Sequence, residues 1–290
     1  MIRTLDASML GISSPLCDLL PLAAEAGFEA VTPSPDLFAD PADPVLTDRA
    51  QALRKELGLS WGLLPMPADF YHWDLDDDAF EDRLEELRRR AEIAEKLGVR
   101  FAYNHVWPSS FREFDENFDW HVKRVRAVSG ILWDHGVRYG LEFLGPHELR
   151  AWQPHEFVHS LAGVLSIADA AGGIAGIAFD TFHWYTSSGG AARDLKLMEM
   201  QAGRLVCVHL NDAVAGIPFE RQKDMERRLP METGVIDSRA ILGRFRALGA
   251  DALYMIEPFE PTRTRFHGMD PADAVKEAAD AMRRVESRVE

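Results

Sequence analysis

Seven times along the chain an amphipathic segment runs into a glycine and on into an apolar stretch: EAGFEAVTPS, KELGLSWGLLPM, EKLGVRFAYNHV, DHGVRYGLEFLG, DAAGGIAGIAFDTFHW, QAGRLVCVHLND and RALGADALYMIEPF. Glycine ends a helix in the left-handed conformation at least cost, so each phrase reads as helix, stop, strand. With an opening strand over Ile2–Leu10 the count is eight strands. GIAGIAF and RLVCVHL are near-continuous apolar runs, as expected of parallel strands covered on both faces. The segments between have helical spacing. In Phe80–Leu97, residues Leu84, Leu87, Ala91, Ala94 and Leu97 recur among charges, and a last helix is expected over Pro271–Val289. Eight strand–helix units of about thirty residues are the count for a closed (β/α)8 barrel, the TIM barrel. They take up the whole length as a single domain, residues 1–290.

Charge narrows what such a barrel can act on. The chain has 32 Lys and Arg against 47 Asp and Glu, a formal charge of −15, and this field repels nucleic acid and anionic membrane surfaces. Cys17 and Cys207 each sit in an apolar run, which suits buried thiols in a reducing compartment; the expectation is a cytoplasmic protein without disulfides. No window approaches the roughly 18 apolar residues of a membrane span. The acidic run Asp74–Asp82 lacks the spacing and central glycine of a calcium loop and reads as the charged first turn of a helix. Arg227 and Arg228, in the long connection Asp212–Thr233, read as a solvated pair more readily than as a contact to a substrate phosphate.

In a (β/α)8 barrel the reacting groups come from the C-terminal ends of the strands. Strand 5 ends in Glu142, strand 6 in Asp180 with His183 just beyond, strand 7 in His209 and strand 8 in Glu257. One carboxylate at a strand end is most often a helix cap or an ion-pair partner, and one histidine is most often a satisfied core residue. Three carboxylates and an imidazole at equivalent ends of four successive strands need a common cause, because a buried charge is costly unless paired, protonated or metal-bound. The oxygen-rich set favours one divalent cation such as Mn2+, Mg2+ or Co2+, with Zn2+ also compatible. Aromatic residues follow the strands as well: His72 and Trp73, His105 and Trp107, Trp152, and Trp184 with Tyr185. Such rings stack against the C–H faces of a sugar, and Trp107 and Trp184 are the best wall candidates, with His105 beside them.

Glu142 in GLEFLGP, Asp180–His183 as DTFH, His209 in VHLND, the RLPMETGVID stretch and Glu257 in IEPF follow one another at one-unit intervals. In this order they resemble the sugar phosphate isomerase/epimerase family with its xylose isomerase-like TIM barrel. That family includes ketose 3-epimerases, hydroxypyruvate isomerases, and inosose isomerases and dehydratases. The resemblance covers essentially the whole chain. It implies that Glu142, Asp180, His209 and Glu257 bind one divalent metal, that Glu142 and Glu257 double as the acid/base pair, and that His183 and Glu148 touch substrate. It implies a homodimer as well. Where the epimerases have an Arg six residues after the metal-binding His, apolar positions stand here, and Arg221 is the candidate replacement.

A cation chelated by the carbonyl and adjacent hydroxyl of a ketose stabilises an enediolate as charge develops, and two glutamates can then remove and return the proton. The expected activity is thus a metal-dependent isomerase or epimerase of a ketose or related polyol ketone, a small-molecule substrate. Two rivals remain: a dehydratase that expels a β-hydroxyl from the same enediolate, and a non-catalytic sugar-binding barrel. The barrel also resembles apurinic endonucleases, but no Asp-x-His pair follows His209 and the basic footprint for phosphates is missing.

Overall fold

The computed structural model describes residues 1–287. Eight parallel strands form the inner ring: β1 (Ile2–Leu5), β2 (Ala30–Val31), β3 (Ser60–Trp61), β4 (Phe101–Val106), β5 (Arg138–Phe143), β6 (Gly176–Asp180), β7 (Leu205–Leu210) and β8 (Leu253–Ile256). They lie in sequence order, with β8 beside β1. The seam between β3 and β4 is joined by the parallel bridge Leu63–Phe101 and by the Leu64 N–H donating to the Phe101 carbonyl at 2.7 Å. This is the TIM barrel expected from the sequence. Each strand is followed by an outer helix, among them Asp77–Leu97, Phe114–Asp134 and Pro271–Glu286. The last turn expected for the final helix, to Val289, lies outside the described residues. Among the described residues no helix is long and apolar enough to cross a membrane.

The junctions behave as their glycines predict at six of the seven sites. Gly27 and Gly98 hold φ of 87° and 80° and close their helices by donating to carbonyls one turn back. Gly203 departs from the pattern and lies in the 3-10 turn Ala202–Arg204. The acidic run caps its helix as expected: the Asp76 side chain accepts from the Ala79 N–H, and Asp77 and Asp78 occupy the first turn. One expectation is corrected: the opening strand stops at Leu5 because Asp6 caps a helical turn, Ala7–Leu10. The sixth strand ends at Asp180 as expected, and Asp180 caps a helix over Thr181–Ser188.

Residues two apart on a strand share a face. Phe101, Ala178, Cys207, Leu253 and Met255 pack inside the ring, with Tyr103 against them. Continuing each alternation by one step turns His105, Asp180, His209 and Glu257 inward at the C-terminal mouth. The larger apolar layer, including Leu141, Ile177, Phe179 and Val208, lies between ring and helices. Both cysteines are free and buried.

Candidate metal centre

Strand register brings the polar ends together. His105 pairs with Glu142 across β4 and β5, and Asp180 with His209 across β6 and β7; Glu257 follows β8, where Met255 pairs with His209. Glu142, Asp180 and His209 are fully buried and Glu257 is 6% exposed. One potential ligand atom from each of the four lies within 4.8 Å of all the others.

Around His209 Nδ1 stand Glu142 Oε1 at 3.1 Å and Glu257 Oε2 at 3.6 Å. Glu142 Oε2 is buried without a hydrogen-bond partner, with His105 Nε2 3.5 Å away. Burial is the largest influence on every group here, but it does not always prevail. It pushes the Glu257 carboxyl up to about 8. In Glu142 it is outweighed by His209, which holds that carboxyl below its usual value. Asp180 is held well down against burial by His183, Arg227 and His209, and the His209 imidazole is raised against burial by Glu142 and Glu257. Three carboxylates share one small volume, one oxygen of Glu142 is left without a hydrogen-bond partner, and one imidazole nitrogen faces two of the carboxylates. That donor set fits a divalent cation, and the cluster could hold a metal ion.

Asp180 does two jobs. Its Oδ1 accepts from the Phe182 and His183 N–H groups at 2.6 and 2.9 Å, and its Oδ2 accepts from Asn211 Nδ2 at 3.1 Å and from Arg227 at 2.9 Å. The helix it caps carries His183 into the site. That helix comes close enough to the β5 end that a Cβ on Gly145 would lie 2.2 Å from the His183 carbonyl oxygen, so only glycine fits there. Burial lowers the His183 pKa, which keeps the ring neutral beside Arg227.

Arg227, expected in solvent, is 2% exposed and lies at the centre of the cluster. One terminal nitrogen donates to Asp180 Oδ2 and to Glu257 Oε2 at 2.8 Å; the other donates to Asp224 Oδ1 at 2.7 Å and lies 3.1 Å from His183 Nε2. The guanidinium packs between the rings of Phe182 and Phe259, at 5.0 and 4.4 Å. Its loop is organised by the buried Asp212, whose carboxylate accepts from the N–H groups of Ala213, Thr233, Gly234 and Ile236 at 2.8–2.9 Å. Asp212 and Arg228 also exchange backbone hydrogen bonds in an antiparallel bridge. Adjacent residues of an extended segment point to opposite sides, so Arg227 turns inward while Arg228 donates to the Glu260 carbonyl. No local signal in the sequence separates the two; the bridge to Asp212 does.

The other expected site residues fall in different places. His183 and His105 reach the cluster. Glu148 holds the long loop, accepting from Lys223 Nζ at 2.7 Å and from the Asp224 N–H at 2.8 Å. Trp107 stands at the mouth, its Nε1 donating to Asp69 Oδ2 at 2.6 Å, in a cluster with Trp73 and Trp152. Trp184 is buried in the apolar layer and donates to the Ala191 carbonyl. Arg221 is exposed in the 3-10 turn Phe219–Arg221.

A cluster of three carboxylates and an imidazole at the C-terminal mouth of a (β/α)8 barrel defines a class of barrel with a cation-type site. Within that class the sequence profile of the xylose isomerase-like TIM barrel matches residues 20–285, and the chain belongs to that family. Solved structures agree on the fold. A xylose isomerase domain protein from Alicyclobacillus acidocaldarius is similar at 24% identity and TM-score 0.78, with 98% of each chain covered. The IolI protein with a bound zinc atom is similar at 18% identity and TM-score 0.74, and a D-psicose 3-epimerase with D-tagatose from Clostridium cellulolyticum at 14% and 0.72, each again over 98% of both chains. Among curated proteins no sequence matches the chain.

Proposed function

We propose that this protein is a divalent-metal-dependent isomerase or epimerase of a ketose or related polyol ketone. The observation that carries the reading is the buried quartet Glu142, Asp180, His209 and Glu257, gathered within 4.8 Å, with one oxygen of Glu142 left unpaired. The likeness in fold to a ketose epimerase and to a zinc-binding barrel supports it. Mn2+, Mg2+ or Co2+ suits the oxygen-rich set, and Zn2+ is compatible.

A cation held by these four residues would polarise a ketone carbonyl and its neighbouring hydroxyl and so acidify the intervening C–H. The chain's own groups do the rest. Glu142 Oε2 is free to accept the proton, and Glu257, whose burial favours the protonated form, can hold and return one. His183 stays neutral and Arg227 stays charged, so the site keeps one neutral imidazole and one fixed cation beside its carboxylates. The low-dielectric surroundings strengthen each of these contacts.

The test is incubation of the metal-loaded protein with a panel of ketoses and inososes in D2O, read by NMR. Deuterium beside the carbonyl, lost in Glu257→Gln, is the expected result, and loss of water from the product would identify the dehydratase. No exchange with any substrate counts against the reading. Metal analysis checks the site independently: Glu142→Gln and His209→Ala are expected to lose most bound metal, and full content in both would remove the basis of the proposal.

A further inference from the structure

Cys207 and His209 lie two apart on β7, so both point into the barrel, the thiol one step deeper than the imidazole. Cys207 Sγ is 3.7 Å from His209 Nε2, while the other ring nitrogen, Nδ1, faces Glu142 Oε1 at 3.1 Å and Glu257 Oε2 at 3.6 Å. The ring is held at both ends, by carboxylates towards the mouth and by sulfur towards the interior. Tyr103 packs against it in a T-shaped contact, with the ring centres 4.8 Å apart.

The surroundings leave Nε2 no other partner. Cys207 and His209 are both fully buried, and the thiol belongs to the apolar inner layer of Phe101, Ala178, Leu253 and Met255. Among the described residues the sulfur is the one hydrogen-bond partner of that nitrogen. A neutral histidine can give a cation one nitrogen only while its proton sits on the other. Two places compete for that proton here. On Nδ1 it is donated to Glu142 and closes the side of the ring that faces the carboxylates; on Nε2 it is donated to sulfur and leaves the Nδ1 lone pair free. The second N–H of a metal-ligating histidine ordinarily goes to a carboxylate, a carbonyl or a water, and loss of such a partner weakens metal binding about ten- to a hundred-fold. A thiol in that place accepts the proton without adding a fourth negative charge beneath three carboxylates.

Resting on the cation reading of the cluster, we infer that Cys207 is a positioning residue for the metal site: its sulfur accepts the Nε2 proton of His209 and so commits Nδ1 to the cation. Neither the thiol nor its proton takes part in the chemistry at the mouth.

Calorimetric titration of Co2+ into the metal-free protein tests this in wild type, Cys207→Ser, Cys207→Ala and Cys207→Val, together with nitrogen-15 NMR of the histidine-labelled, Zn2+-loaded wild type. Serine keeps an acceptor and is expected to bind Co2+ close to wild type, whereas alanine and valine remove it and are expected to bind about ten-fold or more weakly. A role in packing alone predicts the reverse order, with valine close to wild type and serine, which puts a hydroxyl into an apolar layer, the weakest. In the NMR spectrum His209 is expected to carry its proton on Nε2 and the metal on Nδ1; this measurement needs no variant, so it decides the tautomer even where a substitution unfolds the barrel. Wild-type affinity in both alanine and valine, a loss in serine equal to that in valine, or metal on Nε2 would each overturn the assignment. Failure of the two readings looks different. Metal binding in wild type that ignores the substitutions removes the role of Cys207 alone, while a wild type that binds neither Co2+ nor Zn2+ removes the cation reading of the cluster and this assignment with it.

Discussion

Arg227 sets a permanent cation against two of the carboxylates that the cluster would offer to a metal ion. Removing it leaves Asp180, Asp224 and Glu257 with no fixed positive partner, and stripping a buried charge of its partner costs about 3–5 kcal/mol. Arg227→Met is therefore expected to destabilise the metal-free protein by that order, and added Mn2+ is expected to restore much of the loss and to bind more tightly than in the wild type. Urea melts with and without Mn2+ check it; an equal loss in both would mean that Arg227 only anchors the loop. A second residue sets an acid limit. His121 is fully buried between aromatic rings, donates from Nδ1 to the Asn117 carbonyl, and has Nε2 unpaired. Burial lowers its pKa to about 3, so the unfolded chain binds a proton more readily between that value and the ordinary 6.5. Its stabilising contribution is complete above pH 6.5 and falls as pH drops, by about 2–3 kcal/mol at pH 4.5. His121→Phe should flatten that acid limb in denaturant melts at pH 7 and 4.5; an unchanged slope would assign the acid sensitivity elsewhere. At this scale the sequence reveals some residues and hides others. Glu142, Asp180 and His209 are legible because each interrupts an apolar strand, whereas Arg227 sits in a polar loop where nothing local separates it from Arg228.

The element that makes Arg227 a site residue is the connection after β7, and Asp212 gives it a shape. Four backbone N–H groups converge on one buried carboxylate, and Gln222 adds bonds to the Val214 N–H and to the carbonyls of Val214 and Ile217. Asp212→Asn keeps the size but replaces an acceptor oxygen with a donor, leaving donors facing donors. The expected cost is about 1–3 kcal/mol, with the loop opened to limited proteolysis near Arg221 and metal affinity altered; an unchanged proteolysis pattern would mean the loop is held by its packing alone. Strand and helix identities were legible because glycine punctuation and apolar periodicity are local. The capping turns were not, since Asp6 and Asp180 stand inside runs whose hydrophobicity carries on: TFHWYT looks as apolar as the strand before it, and only the carboxylate accepting from two N–H groups turns that chain into a helix.

Across the whole barrel the ring is uneven. β4 to β7 are five- or six-residue strands with long registers, while β2 and β3 contribute two residues each and meet β4 through one bridge. A large cavity lies against this thin side, where ladder bonds are fewest, and three of the four cluster residues stand on β5, β6 and β7, so the fold gives long, well-paired strands to most of the charged cluster. Local opening is easiest where few backbone bonds and few buried contacts must break together. Native-state hydrogen exchange is therefore expected to show the amides of β5, β6 and β7 opening only with global unfolding, and those of Val31, Trp61, Gly62 and Leu64 opening earlier, in a smaller unit. Uniform protection around the ring would show that the seam at Leu63–Phe101 is no weaker than the rest.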